Sequence, residues 1–340
     1  MHRPKKIKFL RKFYDYFFAK YKYRGLCTVR SLQWLVESRE RVLHKNKNIE
    51  DFLPEELRGE YDKDFLREVF LISTESSFDQ ATERPKDDDI FYMERSEFFK
   101  NEQTVALLAE GYNRMQSSID PAHGWAHVRR TLRFADILWR GLPEAERPDW
   151  GAVLIAVVWH DVARVDRLGP ADDYWPWLKK VPMGQDFSII LTAVRDAPRS
   201  ANMLRLACRR HNLPKKLRKL VVHAIGKTSN LEVRKGKKSY LRKNFLVSEI
   251  VHDADILDLI TVARIDDIFQ KAKDTDFIDP KFYDRFLAIF FFFGISMIQK
   301  RFLVPHARGL YDLIVGFSDY YSSLFYPEMR DSFKEVIKID

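Results

Sequence analysis

Four side chains spread along the sequence could act together on a divalent cation. His127 lies in HGWAHVRR, just after an Asp120-Pro121 turn; His160 and Asp161 stand side by side at the end of an apolar run; Asp255 interrupts a second apolar segment, IVHDADILDLI. Two imidazoles and two carboxylates make a mixed nitrogen and oxygen donor set. Such a set suits Mn, Fe, Co, Ni, Zn or Mg and leaves positions open for water. It is unlike a thiolate-rich structural zinc site. The two cysteines, Cys27 and Cys208, are far apart and fit neither a metal nor a disulfide spacing, which points to a reducing, cytoplasmic setting.

The elements that must carry these residues read as helices. Residues from Gly151 to Trp159 are apolar on every face and too few to cross a bilayer, so the run predicts a buried helix over Trp150 to Asp166. Delivering a carboxylate from such a helix is costly unless something compensates it. Helical periodicity also predicts Thr28 to Leu43, Asp62 to Ile72, Arg95 to Gln116, Trp125 to Leu142, Asp186 to Arg195, Ser200 to Arg210, Lys215 to Lys227, Leu246 to Ala272, Pro280 to Phe302 and Pro305 to Leu324. Strand-like alternation is nowhere sustained, so the expected fold class is all-α.

The 340 residues can bury a large core, and 46% hydrophobic with 31% charged residues is the balance of a globular protein. The formal charge of +9 is concentrated at the start, where residues 1–24 interleave lysines and arginines with aromatics. Phe9, Phe13 and Phe17 fall on one helical face. That segment suits a phosphate backbone or an anionic surface, or equally a helix docking its aromatics on its own domain. No signal peptide is visible. Phe286 to Ile298 is membrane-like but too short to span, and reads as a core helix. Polar Ser73 to Asp89 reads as a linker, and Arg234 to Lys243 (RKGKKSYLRK) as a basic loop able to attract phosphates. The expected organisation is a basic, aromatic helical region over 1–90, a helical domain over 91–330 and a tail over 331–340.

The ordered segments DPAHGWAHVRR, HD and VHDADILDLI, with HNLPKKLRKLVVHAIGKTS between the last two, resemble the HD-domain metal-dependent phosphohydrolase superfamily, in particular small bacterial predicted HD hydrolases. The resemblance covers roughly residues 117–328. It implies an HD-like helical bundle, with His127, His160, Asp161 and Asp255 as ligands of one divalent ion (Mn, Fe, Co, Ni, Mg or Zn) and Asp253 just behind them. Where relatives carry a second His in this region, the chain has Thr228, and a hydroxyl there predicts one ion rather than two.

The activity implied is hydrolysis of a nucleotide or another small phosphate ester. His123 and Asp166 are the candidates for moving protons. Arg130, Arg164 and Lys227 are the candidates for offsetting phosphoryl charge. Two alternatives stand beside it: an HD protein bound to nucleic acid through residues 1–24, and a metal- or ligand-binding module without turnover.

Overall fold

All ten residues of the helix Trp150–Trp159 are buried, and this segment forms the axis of the fold. In this computed structural model the described residues are 59, 61–75, 90–118, 123–165, 184–226, 242–264, 267 and 302–325, with side chains described from 196, from 246 and up to 317 in the last three long stretches. Among them there are helices and no strand, so the all-α expectation holds there. In chain order the helices are α1 Lys63–Ser73, α2 Glu102–Gln116, α3 Trp125–Arg140, α4 Trp150–Trp159, α5 Gly184–Arg210, α6 Lys215–Gly226, α7 Arg242–Leu259 and α8 Ala307–Phe325. Helix α4 packs against α2, α3, α6 and α7, and α3 lies along α7.

Local chemistry explains where several helices start. Asp62 accepts from the Asp64 and Phe65 amides at the head of α1, Asn101 from Gln103 at α2, and Asp149 from Gly151 at α4. The last two caps place α2 and α4 as separate elements. The expected helix from Arg95 is instead two short 3-10 turns, Met93–Arg95 and Glu97–Lys100, before Asn101 opens α2. Val153, Leu154, Ile155, Val157 and Val158 are fully buried in α4, each worth about 1.5–3 kcal/mol. The indoles at its two ends also find acceptors: Trp150 Nε1 donates to Phe91 O at 2.7 Å and Trp159 Nε1 to Leu107 O at 3.2 Å.

Other expectations change. Helix α4 stops at Trp159 rather than running to residue 166, and Asp161 takes φ −109°, ψ 9° before a 3-10 turn over Val162–Arg164. The helices expected over Asp186 to Arg195 and Ser200 to Arg210 are one: α5 runs through Pro198 between them. Asp196 paired with Arg164 and Ser200 Oγ accepting from the Ala163 amide at 3.1 Å hold the helix on either side of it. Helix α7 ends at Leu259 rather than 272, because the Thr261 hydroxyl donates to Asp258 O at 2.8 Å and accepts from the Arg264 amide at 3.1 Å, starting a new turn. Residues Arg242 and Lys243 of the expected basic loop already belong to α7.

The expected boundary at residue 90 divides elements that share one core. Leu66, Val69, Phe70 and Ile72 of α1 join the same buried cluster as α3, α4 and α7, and Phe70 meets Phe317 of α8 edge-on at 5.2 Å. The start of the expected linker is likewise buried at Ser73, Thr74 and Glu75. Residues 1–58, most of the linker and Phe286 to Ile298 lie outside the described residues. No described helix is long and apolar enough to cross a membrane.

Candidate metal centre

Three elements bring the four expected donors to one place. His127 comes from the first turn of α3, His160 caps the C-terminus of α4 with Asp161 just beyond it, and Asp255 comes from α7. Donor atoms of His127, His160 and Asp161 all lie within 4.8 Å of one another and could hold a metal ion. Their side chains are buried, whereas that of Asp255 is 35% exposed and forms the open side of the cluster.

The early end of α4 explains how consecutive residues serve one centre. On a continuous helix His160 and Asp161 would diverge by about 100°. Asp161 instead leaves the helix in the bridge region of backbone space, and its Oδ2 lies 3.7 Å from His160 Nε2.

The tautomers follow from the hydrogen bonds. His160 Nδ1 donates to the Val157 carbonyl at 2.6 Å, and a carbonyl can only accept. His127 Nδ1 donates to Asp258 Oδ2 at 2.6 Å. With both Nδ1 positions carrying hydrogen, neutral rings present bare Nε2 lone pairs, and these two nitrogens face each other at 3.1 Å. Two lone pairs at that distance repel unless a proton or a cation lies between them.

The spacing also suits a cation. Asp161 Oδ2 and Asp255 Oδ1 each lie 3.5 Å from His127 Nε2 and 3.7 Å from His160 Nε2. Donors about 2.1 Å from a common ion are separated by about 3.4 Å at the tetrahedral angle and about 3.0 Å at a right angle. The nitrogen–nitrogen separation and the four nitrogen–oxygen separations cluster around these values, so the residues fit a single divalent ion.

Electrostatics agree with the geometry. Burial alone would lower the His160 pKa, but the adjacent Asp161 and Asp255 carboxylates outweigh it and raise the imidazole to about 9. Burial pushes Asp161 upward, and Arg164 and His160 overcome this to hold it well below the usual range. Asp255 is also lowered: burial opposes this, and the hydrogen bond and charge of His160 prevail over repulsion from Asp161. The two carboxylates thus surround the facing imidazoles with negative charge that favours a proton or a cation between them.

The remaining expected site residues have varied placements. Arg164 Nε lies 3.4 Å from Asp161 Oδ1 and 3.0 Å from Asp196 Oδ2, so it braces the carboxylate whose other oxygen faces the imidazoles. The His123 ring stands 6.2 Å from that of His127, half-buried at the margin. Two expectations are corrected. Arg130, expected at a substrate phosphate, is fully buried; its Nε donates to Asp258 Oδ1 at 2.5 Å, its Nη1 to Glu75 O at 2.6 Å, and its Nη2 pairs with Asp267 at 2.8 Å. Asp253, expected behind the ligands, turns away: its Oδ1 bonds His252 and its Oδ2 accepts from the Leu303 and Val304 amides at 2.9 and 2.8 Å. Two residues from Asp255 is about 200° around a helix, hence the opposite face. Asp166, Lys227 and Thr228 lie outside the described residues.

The residue that the sequence reading missed is Asp258. One turn after Asp255, it shares that face of α7 and fixes the His127 ring, while Arg130 overcomes the effect of burial and holds its carboxyl well below the ordinary range. Acids at i and i+3 in an otherwise apolar helix were the available signal. The chain matches no protein-family model, no curated protein and no solved structure.

Proposed function

We propose that this chain is a divalent-metal-dependent phosphohydrolase of HD-domain type, acting on a nucleotide or another small phosphate ester. The observation that carries the reading is the facing pair of Nε2 atoms, 3.1 Å apart and flanked by two carboxylates. A proton or a cation must join them, and the mixed nitrogen and oxygen donor set suits a divalent ion with open positions for water and substrate. The ordered motifs around the four ligands supply the link to phosphate esters.

His127, His160, Asp161 and Asp255 would hold the ion. When bound, it supplies Lewis acidity toward a phosphoryl oxygen and makes water a usable nucleophile near neutral pH. The chain's own residues do the rest. Asp258 and the Val157 carbonyl keep both imidazoles turned with Nε2 toward the centre. Arg164 holds Asp161 in place from behind. A phosphate would approach from the side of the partly exposed Asp255, and His123, its ring 6.2 Å from that of His127, would exchange a proton with substrate or leaving group.

The test is a screen of nucleotides and sugar phosphates with Mn, Mg, Co and Ni beside the double variant His160→Ala/Asp161→Ala. The reading expects metal-dependent phosphate release that the double variant loses. Release unchanged in that variant, or none from any compound in metal-loaded protein, would contradict it.

A further inference from the structure

The last turns of α5 and the first of α6 form a hairpin whose outer face carries strong positive charge. No Asp or Glu occurs between Asp196 and Glu232, a stretch rich in Lys and Arg. The apolar residues of the hairpin turn inward: Leu204, Ala207, Leu213, Leu217 and Val221 are buried. Arg205, Arg209, Lys215, Lys216 and Lys219 are exposed, with Arg218 half-buried beside them.

The turn holds these charges in a fixed arrangement. Asn212 is left-handed at φ 52°, the Leu213 amide donates to Cys208 O at 2.9 Å, and the Asn212 amide to Arg209 O at 3.1 Å. This is a Schellman ending of α5, with Leu213 as its apolar seal, and Pro214 leads directly into α6. The nearby acid Glu110 is occupied by Arg210, His211 and Arg114 at 2.6, 2.9 and 3.1 Å. Among the described residues, none of the six basic side chains named above has an acidic partner.

Such an arrangement works against stability. Lys215 and Lys219 are like charges one turn apart, and with Lys216 they occupy the end of α6 where the helix dipole already favours anions. A face of this charge attracts a negatively charged partner.

We infer that this α5–α6 face binds the phosphodiester backbone of a nucleic acid, independently of the metal centre. Two features favour this partner over a membrane surface. Leu206 is the one large apolar side chain exposed on the described hairpin, at 45%, whereas an interfacial helix inserts an apolar face. The exposed amides of Asn202 and Asn212 lie among the cations, and side chains of both kinds contact phosphate and sugar.

The test uses the full chain and fluorescein-labelled single-stranded and duplex oligonucleotides, with affinity measured across salt concentrations. Wild type is expected to bind with a steep salt dependence. The variant Arg209→Gln/Lys215→Gln/Lys216→Gln/Lys219→Gln should bind about tenfold or more weakly, with a single-strand salt slope lower by about 3, and the matching Lys→Arg variant should retain binding. Circular dichroism checks that the exposed substitutions leave the helices intact. Oligonucleotide binding unchanged by the four substitutions, but lost in Lys5→Gln/Lys6→Gln/Lys8→Gln, would overturn the inference. So would tight binding to phosphatidylserine vesicles with none to oligonucleotides.

Discussion

His127 and Asp258, 131 residues apart in sequence, are joined by a buried 2.6 Å hydrogen bond from Nδ1 to Oδ2. The same carboxylate is held by Arg130, whose other contacts are Asp267 and the Glu75 carbonyl. The orientation of one of the two facing imidazoles therefore depends on a buried ionic network reaching Glu75, just past the end of α1.

Asp258→Asn should weaken divalent-metal affinity by about 10–100-fold, since it removes the charge that orients His127. It should also cost about 3 kcal/mol of stability by leaving Arg130 less compensated. The carboxyl is depressed in the folded chain, so its contribution is present above the usual pKa near 4 and lost as pH falls below it. Isothermal titration and urea unfolding read the two effects separately. Asp253→Asn, on the opposite face of α7, should destabilise without changing metal affinity.

Glu75→Gln removes the partner of Arg129 at 3.0 Å and Arg133 at 3.2 Å, with Glu75 and Arg129 both buried. Its cost should fall within about 3–5 kcal/mol, as for a broken buried pair. Metal affinity should change much less than in Asp258→Asn, because the Glu75 contact that reaches Arg130 is its main-chain carbonyl. A chemical denaturation curve beside a metal titration checks both expectations.

Metal affinity should rise with pH. In the metal-free chain His160 keeps its proton up to about 9, above its ordinary 6.5. Its contribution to metal-free stability is thus full below about 6.5 and lost as pH rises through 9. A cation must displace that proton, so affinity should increase about tenfold per pH unit over this window and then level, with about one proton released per ion at pH 7. Calorimetry in buffers of different ionisation enthalpy measures the release.

Gly111→Ala should destabilise by about 1–3 kcal/mol through overpacking. A Cβ at this position in α2 would collide with the Trp159 indole, which stands directly before His160. Thermal unfolding and Trp fluorescence should report the displacement.

The buried α4 was legible in the sequence from its own composition, whereas the grouping of His127, His160, Asp161 and Asp255 was expected only from the ordered motifs around them. An all-apolar run must be interior, and paired His and Asp residues at its end require compensation. Directions were harder to read. Arg130 lies near the expected ligand His127 in sequence, yet one helical turn places it on the same inward face, where it serves Asp258. Asp253 and Asp258 flank Asp255, and only the second is one turn away. The end of α4 depends on the contacts of residues 161–164 with α5, which no local pattern encodes.

The central claim is that these helices converge on one divalent ion. Metal-stripped full-length protein titrated with Co(II), followed by d–d absorption and equilibrium dialysis, tests it most directly. One ion per chain is expected, with binding abolished by His160→Ala and by Asp161→Ala. Undiminished stoichiometry in both variants, or no bound ion in the parent protein, would contradict the account.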